Sequence, residues 1–146
     1  MEEDTGDGAL EELDDEACLK LVASMSIGRV AVAVANAAPL VVPVNYVLDG
    51  EVVVFRSGPG SKLNALQGLP VSFQVDLIDP SCRTGWSVLI RGIAYEATHR
   101  EVKHLVVEPW APGAKQHWIR VMPNEITGRN IRLTDVSPDT RGVDGP

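Results

Sequence analysis

Residues 43–62 read PVNYVLDGEVVVFRSGPGSK, and this stretch decides the fold. Two apolar, β-branched runs, LVVPVNYV and EVVVFR, are joined by Asp49-Gly50. Asp-Gly between such runs predicts a hairpin, because glycine takes the positive φ that a tight turn needs. The second run ends in a turn of Gly, Pro and Ser that carries Arg56, Ser57, Ser61 and Lys62. Glycine lets backbone N–H groups approach an anion, and Arg and Lys supply charge, so the turn suits a phosphate. The competing reading is a solvated loop with a few surface charges.

Working outward, apolar positions at Leu10, Leu13, Ala17, Cys18, Leu21, Val22 and Met25 fall three and four apart. That spacing predicts a helix over residues 10–25, with Asp14, Asp15 and Glu16 near its positive end and Gly28 as its stop. In GRVAVAVANAAPL, valines alternate with alanines, which predicts a strand buried on both faces or paired inside a barrel. Residues 62–67 read as a short helical turn, 71–76 (VSFQVD) as a strand, and 86–96 (WSVLIRGIAYE) as a long strand with a bulge or close approach at Gly92. A short helix over 99–107, a Pro/Gly loop over 108–115, a strand over 117–122 and a further short one over 126–133 complete the pass. About six strands at short spacing predict a mainly β, antiparallel barrel with a few helices, not a wound parallel sheet.

The chain has 146 residues, the size of one domain with one core. Its net charge of −7 is uneven. Residues 1–16 hold nine acids and no base, which leaves 11 acids against 13 bases in the remainder. Residues 1–9 are expected to be a disordered acidic leader, 10–134 the domain, and 135–146 a flexible tail. The acidic start does not match a signal peptide, and no apolar run is long enough to span a membrane. Cys18 and Cys82 stand far apart without metal or redox spacing, which reads as two thiols of a cytoplasmic protein. No basic stripe with interleaved aromatics argues for nucleic acid.

Catalytic motifs are sparse. His99, His104 and His117 lack metal-ligand spacing, and no Gly-x-Ser-x-Gly elbow, Gly-Lys-Ser/Thr loop or GxGxxG occurs. Trp86, Trp110 and Trp118 fit core packing, a wall for a flat heterocycle, or an oligomer interface.

The segments IGRVAV, VVPVNYVLDG, VVVFRSGPGSKLNAL, VSFQVD, GWSVLIRG and ITGRNI, in this order and spacing, resemble the pyridoxamine 5′-phosphate oxidase-related flavin-binding split barrels. The resemblance spans about residues 13–133 and is to a branch common in actinobacteria. It implies a homodimer of six-stranded split barrels with FMN at the subunit interface. It places Val44, Asn45 and Tyr46 beneath the flavin ring, Arg56 and Ser57 towards the phosphate and ribityl chain, and Ser61 and Lys62 on the phosphate. Trp86, Ser87 and Val88 would reach the cofactor of the opposite subunit. Two departures stand out: Ser61 replaces the arginine of the family's Arg-Lys pair, and TGRNIRL offers only Arg129 and Arg132 for a substrate phosphate. The resemblance therefore implies a flavin-dependent oxidoreductase with a small-molecule substrate other than pyridoxamine phosphate. The alternatives are an F420-dependent reductase of the same fold and a non-enzymatic flavin- or haem-binding protein.

Overall fold

The computed structural model describes residues 8–58, 61, 63, 66–108 and 117–133. Seven strands and two helices follow one another as β1 (Gly8–Leu13), α1 (Asp15–Ala23), β2 (Ile27–Val32), β3 (Leu40–Asp49), β4 (Val52–Ser57), β5 (Leu69–Asp79), β6 (Thr84–Glu96), α2 (His99–Val102) and β7 (His117–Leu133). The sheet runs β1-β7-β4-β3-β2-β5-β6, and β6 pairs back onto β7. That last pairing closes β2 to β7 into a six-stranded antiparallel barrel, the mainly β architecture expected from the sequence. Closure removes the bare edges of an open sheet except along the second half of β7, which β4 does not reach and β1 covers.

The hairpin forms where Asp49-Gly50 predicts it. Asp49 pairs with Val52, and Gly50 takes φ +67° in the turn. Alternation then sends Val30, Val32, Val44, Tyr46, Val53, Phe55, Val71, Phe73, Val75, Val88 and Ile90 into the barrel. Gly28 faces the same interior. A Cβ there would stand 2.4 Å from the Phe73 ring, so glycine makes room for that ring. The helix stop expected at Gly28 is thus corrected: α1 ends at Ala23 with Ser24 as its C-cap, and Gly28 lies inside β2. Arg29 is exposed, so β2 is buried on one face only.

The expected helix over 10–25 is shorter at both ends. Asp14 is its N-cap, accepting from the Ala17 N–H at 2.9 Å, and residues 8–13 instead form β1 along β7. Strand pairing satisfies the backbone of Leu10 and Leu13 as a helix would, and the helical spacing of the two leucines does not separate the outcomes. β1 also enters the stretch assigned to the leader, since its pairing begins at Gly8. α1 lies against the barrel with Cys18 and Val22 fully buried, and the Tyr46 hydroxyl donates to the Val22 carbonyl. Burial pushes the Tyr46 phenol far above its usual pKa.

The two short final strands expected from the sequence are one continuous strand, β7. Gly92 pairs with Pro123 at a register shift, the bulge expected at Gly92. The shift leaves Asn124 of β7 without a register partner on β6, next to a proline that has no N–H to give. The helix expected over 99–107 stops at Val102. The helical turn expected over 62–67 and the loop with Trp110 lie largely outside the described residues.

Candidate functional site

β4 is apolar on both sides of the strand, VVVFRS, and the structure shows why. Val53, Phe55 and Ser57 point inward, while Val52 and Val54 pack outward beneath Val102 of α2 and Leu105. α2 is only one turn long, and it is fixed by a capping box. The Thr98 hydroxyl accepts from the Glu101 N–H at 3.3 Å, and the Glu101 carboxylate accepts from the Thr98 N–H at 2.9 Å. Arg120 donates to the same carboxylate at 3.0 Å. These hydrogen bonds, the Thr98 backbone first and the Arg120 charge after it, hold the Glu101 carboxyl below its ordinary pKa.

The segment leaving α2 crosses the outer side of β4 and meets Arg56. The Arg56 guanidinium donates to the Val107 carbonyl at 3.1 Å and sits 5.0 Å from the centroid of Trp118, its register partner on β7. Stacking and a hydrogen bond thus fix the plane of a planar cation at the end of the strand. Ser57, next along β4, is 4% exposed and pairs with His117. Past it the chain turns tightly: the Ser61 N–H donates to the Gly58 carbonyl at 3.2 Å, and the Ser61 hydroxyl accepts from Leu63 N–H at 3.0 Å. Lys62 lies outside the described residues.

The other predicted residues divide by face. Val44 and Tyr46 put their side chains into the core, where Tyr46 meets Phe73 edge-on at 4.8 Å, so only their backbone is available at the surface. Asn45, between them, points outward, with its amide 3.5 Å from the Ser26 carbonyl. Val88 is buried, Trp86 packs partly against the core, and Ser87 faces out.

Strand register brings the outward-facing members together. Asn45 pairs with Ile27 and Asp76 with Ser87, while Arg56 lies one rung beyond the Tyr46–Phe55 pair, level with Asn45. One band around the barrel thus carries Arg56, Asn45 and, across β2 and β5, Ser87. Sequence reasoning missed the polar side chains in this band. Gln74 donates to Ser87 at 3.2 Å and to Asp76 at 3.0 Å, while Arg29 donates to Gln74 at 3.1 Å and lies 3.8 Å from Asp76. The signal was present in VSFQVD, whose alternation puts Ser72, Gln74 and Asp76 on one face.

The remaining titratable candidates are dispersed. His104 faces Asp49 at 3.4 Å and His117 faces Glu96 at 2.9 Å. Among the described residues, no group of three His, Cys, Asp or Glu side chains could hold a metal ion. None of the described helices is long and apolar enough to cross a membrane. Of the two arginines in TGRNIRL, Arg132 is paired with Glu11 of β1 at 3.2 Å and Arg129 is exposed.

The chain is similar to known proteins over most of its length. The uncharacterized protein Rv0080 of Mycobacterium tuberculosis is 33% identical over 136 residues, which cover 87% of this chain and 89% of that protein. The FAD binding protein from Mycobacterium smegmatis superposes with a TM-score of 0.72 at 31% identity, covering 84% of this chain and 98% of its own. A conserved protein of unknown function from Corynebacterium diphtheriae gives a TM-score of 0.68 at 31% identity, over 82% of this chain and 96% of its own. The family described as pyridoxamine 5′-phosphate oxidase matches residues 14–130, which takes in β2 to β6, most of β7 and all the candidate site residues. The chain belongs to that pyridoxamine 5′-phosphate oxidase family.

Proposed function

We propose that the protein binds a flavin carrying a 5′-phosphate, FMN at the least, and works as an oxidoreductase on a small molecule. The observation that carries this reading is the fixed Arg56 guanidinium at the end of β4, beside Ser57 and a tight serine turn, in a band shared with Asn45 and Ser87. A cation whose plane is already set loses little freedom when it meets a phosphate. The flavin-binding relative from Mycobacterium smegmatis supports the same reading.

When bound, a flavin supplies hydride or electron transfer. The chain's own residues bind and orient. Arg56 and Lys62 would neutralise the phosphate, and the Ser61 hydroxyl would add a partner, whereas the Ser57 side chain points into the barrel. Asn45 and Ser87 present polar groups at the height of the ring. The Arg29–Gln74–Asp76 set fixes the Ser87 hydroxyl, whose oxygen already accepts from Gln74 and whose hydrogen can be donated outward. A second subunit would cover the open side of this band and complete the site.

The test is a titration of FMN and riboflavin into protein freed of any bound cofactor. Lys62→Ala should weaken FMN by roughly thirtyfold or more, on the order of 2–3 kcal/mol for a charged hydrogen bond, and leave riboflavin unchanged. Equal losses for both ligands would remove Lys62 from the site, and no binding of either flavin by the wild type would remove the reading itself.

A further inference from the structure

Two irregularities in the ladders of the barrel lie on either side of β5 and β6. The β2–β5 ladder ends at the Ala31–Ser72 pair although β5 begins at Leu69, so the strands part there, beside a Pro70 that has no N–H to give. On the far side of β6, the shift at Gly92 leaves Asn124 without a register partner. Bulges of this kind re-aim side chains and are frequent beside functional sites. Between the two, on the outer side of the barrel, lies a cavity of about 510 Å³, within the range of ligand pockets, roughly 300–1,000 Å³.

We infer that this cavity is a second ligand site and that it takes a small aliphatic carboxylic acid. Its apolar walls are aliphatic, from Ala33, Pro39, Pro70 and Ile93, which suits a short hydrocarbon body. Its polar lining has donors to spare. The Ser72 hydroxyl and the Asn124 amide make no side-chain hydrogen bond among the described residues. Arg91 has five N–H donors and gives one of them, at 3.4 Å, to Glu125. That pair is open to water, with side chains 64% and 55% exposed, and such pairs hold weakly. The guanidinium can therefore turn from Glu125 to a carboxylate that also brings apolar surface to bury. Glu125 is then the competitor that an incoming acid displaces. The other groove of this size, between α1 and the β3–β4 hairpin, suits no anion, because Asp15, Glu16 and Glu51 line it with Lys20 as their single opposing charge among the described residues. Ser72 and Arg91 lie four residues along β5 and β6 from Asp76 and Ser87, about 13 Å, so the acid site uses none of the residues of the proposed flavin site and stands apart from that reading.

The experiment is a nuclear magnetic resonance titration of sodium hexanoate into the full chain labelled with nitrogen-15, with hexanamide as the uncharged probe of the same shape. In the wild type, the amide signals of Ala33, Ser72, Gly92 and Asn124 should shift and saturate with hexanoate. Hexanamide should bind about tenfold more weakly, the cost of a lost charged hydrogen bond. Arg91→Gln should weaken hexanoate by a similar factor, and Glu125→Gln, which removes the competitor, should strengthen it severalfold. Both side chains are exposed, and the same spectra report whether each variant is folded. No saturable shift at these four amides in the wild type, equal affinity for hexanoate and hexanamide, or an unaltered hexanoate affinity in Arg91→Gln would overturn the inference. Each of those results leaves flavin binding untouched, since that is read separately with FMN and riboflavin.

Discussion

Gly92 stands where two strands approach more closely than a side chain allows. A Cβ there would lie 2.1 Å from the Met122 carbonyl oxygen, a backbone atom that cannot swing away. Gly92→Ala should therefore destabilise the protein by about 1–3 kcal/mol, the usual cost of overpacking, read as a lower midpoint in urea unfolding. The two thiols contrast in the same way. Cys82 is exposed, whereas Cys18 is buried against Gly128, and burial together with the nearby Asp15 and Asp14 charges raises its pKa. Ellman's reagent should find one reactive thiol per native chain and two in denaturant. Side chain by side chain, the sequence shows which residues carry charge and which turn needs glycine. It does not show that Arg56 is stacked on Trp118, because that partner comes from a distant strand whose register only the closed barrel sets.

Strands and helices show where periodicity is decisive and where it is not. The alternation over residues 43–62, broken by Asp49-Gly50, has one physical solution, and β3 and β4 form as read from the sequence. Leu10 and Leu13 have two, and the choice of strand comes from the bare edge of β7, to which β1 pairs from Gly8 to Leu13. A chain lacking residues 1–7 should keep the wild-type melting temperature. One lacking residues 1–13 should melt several degrees lower, since β7 loses its partner; differential scanning calorimetry separates the two. α2 gives a pH prediction. The Glu101 carboxyl has a folded pKa below its ordinary 4.5, so its contribution to stability is present above the unfolded value and is lost as pH falls through the folded one. Glu101→Gln should lower the melting temperature at pH 7, and the gap to wild type should close in strongly acidic buffer.

Taken as one body, the chain carries large apolar side chains on its outer surface that a single copy leaves uncovered. Val41 is 57% exposed, Leu77 54% and Ile78 51%, the last two on β5 beside the Trp86–Val88 stretch of β6. Exposed apolar side chains of this kind are common at subunit interfaces. The expected outcome is a homodimer, and sedimentation equilibrium at micromolar protein should return twice the chain mass of 15.7 kDa; a species of the single-chain mass throughout would rule it out. The barrel class was legible from strand count and turn chemistry, and the family from the order of its segments. The Gln74–Asp76–Ser87–Arg29 set was not, since its four members come from β2, β5 and β6 and meet only after the strands are in register.

β7 has a consequence for how the protein comes into being. It pairs with β4 and β6 and also holds β1, and it is the last strand along the described chain. As a ribosome releases the polypeptide, β4, β3, β2, β5 and β6 emerge first as a sheet with two bare edges, at β4 and β6. No rearrangement of those five strands supplies the missing sixth. The nascent chain therefore waits, exposed to pairing with its neighbours, until His117–Leu133 has cleared the exit tunnel. Chains stalled on a C-terminal linker too short to bring residues 117–133 out of the tunnel should be protease-sensitive and bind chaperone, and chains on a linker long enough to expose that whole strand should resist digestion.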